Sequence, residues 1–193
     1  VMCVEQYYPE KVHQLSSCRS PQQMFGSMLK RFYAKEQGID PADMYVVSVM
    51  PCTAKKFEAK RPEFSEKGVR DVDAVLTTQE LARMIKSAGI LFESLEEEAF
   101  DAPFGFATGA GVIFGYSGGV ATAVMREAHA MLTKERVLEV DLQPVEGLKG
   151  VSATELEIAG HPVRLAVVSG LGAARELIDA LDEGKVAYDI VEV

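Results

Sequence analysis

Three short runs of apolar residues most constrain the fold of this chain. MYVVSVM (44–50), DAVLT (73–77) and VRLAVVSG (163–170) are rich in β-branched residues and almost uninterrupted. This pattern is typical of strands that are covered on both faces in a parallel sheet. The second and third runs each lead into an amphipathic helical segment, and YDIVEV (188–193) predicts a final strand. Strand–helix–strand order at this spacing predicts a βαβ unit and an α/β fold, with parallel or mixed sheets flanked by helices.

Local signals predict where several helices begin and end. Ser20, Pro21 and Gln23 form a capping-box pattern before an amphipathic helix that should end at Gly38. Thr77 or Thr78 is a suitable cap for the helix that follows the second apolar run. The pattern favours a further helix over residues 120–135, and AGHPV predicts a reversal between two strands.

Two glycine-rich segments are candidate ligand loops. GFATGAGVIFGYSGG (105–119) holds six of the 16 glycines, predicts a loop, and places the large apolar side chain of Phe114 inside it. SGLGAAR (169–175) follows a strand and opens a helix, as a dinucleotide-binding turn does, but has alanine where the third glycine belongs. A tight strand-to-helix turn explains the second segment better than a dinucleotide site.

The composition narrows the classes of function. The 193 residues are 48% hydrophobic and 25% charged, as in an ordinary globular protein. A net charge of −9 argues against a nucleic-acid binder and gives no attraction to an anionic membrane. Because no apolar run approaches the roughly 20 residues that span a bilayer, we expect no membrane insertion. Three cysteines without a CxxC pair favour a reducing, cytoplasmic location over a disulfide framework.

Cys52 is the most suggestive single residue. Only Pro51 separates it from the end of the first apolar run. Lys55 lies three residues after Cys52 and Glu58 six residues after it. A nearby ammonium favours the thiolate, which is the form that attacks electrophiles and binds metals. From the residues alone, three interpretations stay open: a small buried cysteine before a solvated charged loop, a nucleophile, or an iron–sulfur ligand. No histidine is placed to serve a nucleophile, and one cysteine holds a cluster only with ligands from elsewhere.

Four longer segments of the sequence resemble segments of a known protein family. MPCTAKKFEAKRPE (50–63) closely resembles the central cysteine motif of the [FeFe]-hydrogenase catalytic domain, Met-Pro-Cys-x-x-Lys-x-x-Glu. LSSCRSPQQMFG (15–26), DVDAVLTTQELARMIKSAGI (71–90) and ATGAGVIFGYSGGV (107–120) resemble neighbouring segments of that family in the same order. The resemblance covers essentially the whole chain. It implies a two-lobed α/β fold in which residues 1–193 are a fragment of the iron hydrogenase catalytic domain.

The resemblance implies an activity, a cofactor and partners. The activity is the reversible reduction of protons to dihydrogen at an H-cluster. This cofactor is a [4Fe–4S] cubane linked through a cysteine to a di-iron centre with CO, cyanide and a dithiolate bridge. The implied partners are an electron carrier such as ferredoxin, or accessory iron–sulfur domains, and the H-cluster maturation proteins.

Roles for individual residues follow from the same resemblance. Cys52 is expected to ligate the cubane, Lys55 to hydrogen-bond a cyanide, and Ser16 to lie on the proton route. Glu58 belongs to the motif and is expected to be a catalytic residue together with Lys55 and Ser16. The residues expected to line the cofactor pocket are Met50, Pro51, Gln22, Phe114 and Gly115.

The sequence also departs from the family pattern. The family's outer motifs, Cys-Cys-Pro-x-Trp and Ala-Cys-Pro-Gly-Gly-Cys, are absent, and Cys3 and Cys18 do not fall at ligand positions. We therefore expect a fragment that is inactive and cluster-free when isolated. Two alternatives stay open: a non-catalytic, hydrogenase-like sensor or iron–sulfur assembly protein, and a dinucleotide-binding oxidoreductase domain that uses residues 163–176.

Overall fold

The computed structural model of the protein describes residues 1–106, 109–136 and 139–193. The chain forms two compact units, Val1–Pro103 and Phe104–Val193. Both units combine helices with small sheets, as the α/β prediction requires. Within the described ranges, no helix has the length and apolar character needed to cross a membrane.

The first unit packs helices against a parallel pair of strands. β1 and β4 run parallel, with Val47 opposite Ala74, and β2 and β3 form an antiparallel hairpin. The strands are β1 (Val47–Val49), β2 (Ser65–Glu66), β3 (Val69–Arg70) and β4 (Ala74–Leu76). The helices are α1 (Met2–Tyr7), α2 (Pro21–Met28), α3 (Ala34–Gln37), α4 (Ala54–Glu58) and α5 (Thr78–Ser87), with 3₁₀ turns at Pro9–Gln14, Pro62–Phe64 and Phe92–Ser94 and a π-helical turn at Leu29–Tyr33.

The first apolar run forms a shorter and more exposed strand than its pattern predicts. Val47 and Val49 are 47% and 45% exposed, so the prediction of a strand covered on both faces is wrong for β1. Successive side chains of a strand point to opposite faces. Val46 and Met50 pack on the core of Ala59, Val72 and Val75, which covers one face of β1 and leaves the other exposed.

The two predicted helix starts differ in their chemistry. α2 begins after Ser20 as predicted, but Ser20 makes no side-chain cap and Gln23 is fully buried, so the predicted capping box is wrong. The amide of Gln23 is buried without a hydrogen-bond partner, whereas a capping box requires its bond to the Ser20 backbone. By contrast, Thr77 and Glu80 form a complete capping box at α5. The first helical run ends at Gly38 in the left-handed conformation (φ 67°), as predicted.

Gly26 allows α2 to pack closely on the chain before β4. A Cβ atom at this position would lie 2.5 Å from the Asp71 carbonyl oxygen and 2.7 Å from Val72 Cγ2. We expect Gly26→Ala to destabilise the protein by about 2 kcal/mol, because overpacking outweighs the gain in helix propensity. Thermal or urea unfolding measures the change. Gly172→Ala is the matched control, since its helix has open space at that position; equal stability of the two variants would contradict the packing interpretation.

The capping box makes stability depend on pH. Hydrogen bonds from Lys56 and from the Thr77 backbone lower the pKa of Glu80 from 4.5 to about 2. The folded state therefore favours the carboxylate, and this contribution is present above pH 4.5 and is lost as the pH falls toward 2. We expect Glu80→Gln to weaken the dependence of the unfolding midpoint on pH within that window. A midpoint that falls as steeply in the variant as in the wild type would contradict this assignment.

The second unit is a four-stranded mixed sheet with a helix on each face. The strands β5 (Gln143–Pro144), β6 (Val151–Ile158), β7 (His161–Val168) and β8 (Ile190–Glu192) lie in that order. β6 and β7 form an antiparallel hairpin that turns at 159–160, which confirms the predicted reversal. β8 runs parallel to β7 after the crossover helix, which confirms the predicted βαβ unit. The helices are α6 (Gly109–Ile113), α7 (Gly119–Thr133) and α8 (Leu171–Asp182).

β7 is covered on both faces, as its apolar run predicts. Leu165 and Val167 pack with Met125 of α7 on one face, while Ala166 packs with Leu177 of α8 on the other. The turn from β7 into α8 passes through Gly170 at φ 95°, which confirms the interpretation of SGLGAAR as a tight turn.

The glycine-rich segment 105–119 is not a simple loop. It contains the five-residue α6 and leads into α7 at Gly119, whereas residues 107 and 108 lie outside the described ranges. A Cβ atom at Gly119 would lie 1.7 Å from the Ile113 carbonyl oxygen, so only glycine fits there. Glu192 of β8 accepts hydrogen bonds from the backbone N–H groups of Gly118 (2.8 Å) and Ala121 (2.7 Å), which holds the start of α7 against the sheet edge.

Candidate functional site

Cys52 lies on the surface at the carboxyl end of β1. The Met50 N–H still donates to the Leu76 carbonyl (2.9 Å), and the chain then leaves the sheet at Pro51 and turns into α4. The Cys52 carbonyl accepts from the Lys55 N–H (3.2 Å). The thiol is free and exposed. The interpretation of Cys52 as a small buried residue is therefore wrong, and the exposed thiol is available to a ligand.

A hydrogen-bonded chain of four side chains lies beside this turn. The Ser48 hydroxyl donates to Gln22 Oε1 (2.8 Å), and Gln22 Nε2 donates to Glu58 Oε2 (3.3 Å) and to the Lys55 carbonyl (3.4 Å). Glu58 Oε2 also accepts from Lys55 Nζ (3.0 Å). We call Ser48, Gln22, Glu58 and Lys55 the polar chain. It joins three of the predicted site residues to one that the sequence interpretation missed.

Three elements position the polar chain. Gln22 lies in the first turn of α2 and is only 8% exposed, and Ser48 is the middle residue of β1. Lys55 and Glu58 lie three residues apart in α4, on the same face of the helix. The ion pair is partly buried, and Glu58 takes one of the three N–H donors of the Lys55 ammonium. The remaining donors of Lys55 are suited to an anionic ligand.

Ser48 was missed because its signal in the sequence is weak. It is the one small polar residue within MYVVSVM, and a serine in an apolar strand is unremarkable by itself. Its role depends on Gln22, which lies 26 residues earlier in the chain. Only the packing of α2 against β1 brings the two together.

The other predicted site residues are not members of the polar chain. Met50 packs on the core and Pro51 is exposed beside Cys52. Ser16 is exposed and accepts from the Cys18 N–H (3.1 Å); within the described ranges it has no hydrogen bond to the polar chain. Phe114 (39% exposed) and Gly115 belong to the second unit and follow α6.

Arg61 fixes the segment that follows α4. Its guanidinium bonds Glu5 of α1 (2.7 Å) and Glu63 (2.5 Å). The hydrogen bond from Arg61 lowers the pKa of Glu5, and the two carboxylates raise the pKa of Arg61. This cluster ties the segment after the cysteine motif to the amino-terminal helix of the same unit.

The donor groups at the Cys52 turn fit one edge of an iron–sulfur cofactor. A free thiol suits iron, and a lysine ammonium suits an anionic group bound to the metal. Among residues 1–106, 109–136 and 139–193, no three or more His, Cys, Asp or Glu side chains are grouped to hold a metal ion. A cubane bound by four thiolates would need more ligands than these residues bring together.

Comparisons with known proteins agree with this chemistry. The family model described as "Iron only hydrogenase large subunit, C-terminal domain" matches residues 1–193. Iron hydrogenase 1 of Clostridium pasteurianum is 42% identical over 192 residues, which are 98% of this chain and 33% of that protein. Cytosolic iron-sulfur assembly component 3 of Pongo abelii is 36% identical over 198 residues, covering 96% of this chain and 41% of that protein.

A solved structure shows the same fold. The apo [FeFe]-hydrogenase HydA1 from Chlamydomonas reinhardtii, variant C377H, matches with a TM-score of 0.83 and 34% identity, covering 98% of this chain and 55% of that one. The chain spans about a third of the length of the hydrogenase from Clostridium pasteurianum. The fold, the cysteine motif and the family match over residues 1–193 together establish that this chain belongs to the iron-only hydrogenase large-subunit family.

Proposed function

We propose that this chain is part of an [FeFe]-hydrogenase that catalyses the reversible reduction of protons to dihydrogen. The observation that carries the proposal is the exposed Cys52 thiol at the end of β1, with the Lys55 ammonium held by Glu58 one helical turn further on. The identity to the hydrogenase from Clostridium pasteurianum, 42%, supports it. Residues 1–193 would then be a fragment of the catalytic, H-cluster domain.

Cys52 and Lys55 would make the principal contacts of the first unit with the cofactor. Cys52 would ligate the cubane, since its thiol is free and exposed. Lys55 would donate to a cyanide nitrogen, because Glu58 uses only one of its N–H donors. When bound, the H-cluster supplies the iron chemistry and the electrons that reduce protons. The residues proposed to line its pocket are Met50, Pro51, Gln22, Phe114 and Gly115.

Ser16 is proposed to act in proton transfer. Its hydroxyl is exposed, and a hydroxyl can both accept and donate hydrogen bonds, as a relay group must. It holds the Cys18 N–H through its oxygen, which leaves the hydroxyl proton available to a neighbour. Glu58 is proposed to serve the site by holding Lys55 and not as a proton carrier, because its Oε2 atom already accepts from Lys55 and Gln22.

The proposal implies that other polypeptide segments complete the cofactor site. A cubane held by four thiolates needs three ligands besides Cys52, and we infer that the isolated chain is inactive and cluster-free. The complete protein would receive its cofactor from H-cluster maturation proteins. It would exchange electrons with a carrier such as ferredoxin, or with accessory iron–sulfur domains, in the cytoplasm.

A second candidate function is iron–sulfur cluster assembly. It is supported by the 36% identity to cytosolic iron-sulfur assembly component 3, which also matches almost the whole chain. Such a protein would need the Cys52 ligand for a cubane, but it would have no need of an ammonium aimed at the ligands of a di-iron centre. The bonded Lys55–Glu58 pair therefore favours the hydrogenase.

One experiment separates the candidates. The complete protein that carries this chain is produced together with hydrogenase maturation proteins, and its iron, sulfide and cyanide contents are measured. Dihydrogen release from reduced methyl viologen is then followed by gas chromatography. Hydrogen production with bound cyanide supports the hydrogenase. A cubane without cyanide or hydrogen production would overturn the hydrogenase and favour the assembly or sensor alternative.

A further inference from the structure

We propose that Ser48 is a positioning residue that holds the side-chain amide of Gln22 in place and, through it, the Glu58–Lys55 pair. The inference deepens the proposed function, because Lys55 is the group proposed to face the cofactor. It concerns a residue of β1 whose side chain touches Gln22 and has no proposed contact with the cofactor.

The chemistry of the polar chain permits one arrangement of donors and acceptors. Gln22 faces the Glu58 carboxylate (3.3 Å) and the Lys55 carbonyl (3.4 Å) with the same terminal atom. Both neighbours are acceptors only, so that atom must be the amide nitrogen. The amide oxygen of Gln22 therefore faces Ser48, and the Ser48 hydroxyl must donate to it (2.8 Å). The orientation of Gln22 is thus fixed by hydrogen bonding and not by its shape, since the amide oxygen and nitrogen have nearly the same size.

Ser48 is well placed to be the fixed end of the polar chain. Its backbone lies in the β1–β4 ladder, opposite Val75, so its position is set by the sheet. Gln22 is 8% exposed, which limits the water that could replace a lost donor. Glu58 and Lys55 lie on the short α4 and depend more on side-chain contacts for their placement.

Removal of the hydroxyl would affect the far end of the polar chain. Without Ser48 Oγ, the buried amide oxygen of Gln22 lacks its donor, and the shortest of the three hydrogen bonds that hold this amide is lost. The amide is then held only by the longer hydrogen bonds to Glu58 (3.3 Å) and to the Lys55 carbonyl (3.4 Å), so it moves more freely against the carboxylate. Glu58 then shifts, and Lys55, which bonds the same carboxylate oxygen, moves with it. The hydroxyl, and not the volume of the side chain, is the feature that matters.

Three substitutions separate the hydroxyl from packing. Ser48→Thr keeps the hydroxyl and adds a methyl group, Ser48→Val has the shape of threonine without the hydroxyl, and Ser48→Ala removes the hydroxyl with little change in volume. All three residues are compatible with a strand. If Ser48→Ala does not fold, the threonine and valine variants still form a matched pair that differs only in the donor.

The first measurement needs no cofactor. In the 193-residue chain, the side-chain NH₂ signals of Gln22 are followed by ¹⁵N NMR and hydrogen exchange. We expect exchange about fivefold faster in Ser48→Ala and Ser48→Val, the change that accompanies loss of one hydrogen bond, and near the wild-type rate in Ser48→Thr. Equal exchange rates in the threonine and valine variants would overturn the inference.

The second measurement uses the complete, cluster-loaded protein and its infrared spectrum. We expect the cyanide stretching bands to shift in Ser48→Val and to stay at wild-type positions in Ser48→Thr. Unshifted bands in both variants would overturn the link from Ser48 to Lys55. A wild-type protein without cyanide bands would instead contradict the proposed function, while the exchange measurement would still decide whether Ser48 holds Gln22 in place.

Discussion

Under the proposed function, replacement of Cys52 by alanine is expected to reduce hydrogen production by the complete protein to background. The exposed thiol is the one side chain of the Met-Pro-Cys turn with the chemistry of an iron ligand. Alanine removes the thiol, so the proposed cubane would lose one of its attachments to the protein. Iron and sulfide contents, the electron paramagnetic resonance of the reduced protein, and hydrogen release are measured on the same sample.

Cys18→Ala is the matched control for this prediction. Cys18 is also a free, exposed cysteine of the first unit, but it follows no strand end and has no lysine three residues further on. We expect this variant to retain wild-type iron content and activity. A Cys52→Ala protein that retains both would refute the ligand role, and a Cys18→Ala protein that loses both would indicate a general sensitivity to cysteine loss.

Replacement of Lys30 by methionine is expected to destabilise the protein by about 3–5 kcal/mol, the cost of breaking a buried ion pair. Lys30 is 3% exposed, and its ammonium bonds Asp73 (2.9 Å), the Pro41 carbonyl (3.2 Å) and the Met44 carbonyl. Asp73 also accepts from the Val46 N–H (2.7 Å). One buried charge thus anchors the connection from the α2–α3 helical run to β1. Loss of the ammonium leaves these three acceptors without their donor. The free energy of unfolding of the variant is measured by chemical denaturation.

Lys35→Met tests whether the effect belongs to the buried site. Lys35 lies on α3 and is exposed, so we expect its replacement to change the free energy of unfolding by less than about 0.5 kcal/mol. The double variant Lys30→Met/Asp73→Asn should lose less than the sum of the single variants, because its remaining side chain carries no unpaired charge. Additive losses would show that the two side chains act independently.

The apolar runs show how much of a strand's burial its sequence pattern can predict. VRLAVVSG predicts a strand covered on both faces, and β7 meets that description because α7 and α8 lie on opposite sides of its sheet. MYVVSVM predicts the same, but β1 keeps one face exposed. The pattern reports the apolar character of the residues. Which neighbours arrive to cover them depends on segments distant in the chain.

The two capping signals also show that tertiary packing decides whether a local sequence rule is followed. Ser20–Gln23 and Thr77–Glu80 both fit the capping-box spacing, yet only the second forms one. Glu80 lies at the surface, where its carboxylate is free to turn back to the Thr77 N–H (2.8 Å). Gln23 is fully buried in the packed unit, and its amide makes no hydrogen bond to the cap. A local rule holds where tertiary packing leaves the side chain free to follow it.

The candidate site also combines features that the sequence predicts with features that tertiary packing decides. The sequence by itself determined the thiol, the lysine and the family, because Met-Pro-Cys-x-x-Lys-x-x-Glu is a contiguous motif whose members are positioned by one strand end and one helical turn. Only the tertiary structure decided that Cys52 is exposed and that Ser48 and Gln22 are linked to Glu58 and Lys55. Hydrogen bonds between segments 26 to 36 residues apart depend on the packing of α2 against β1 and α4, which no local pattern specifies.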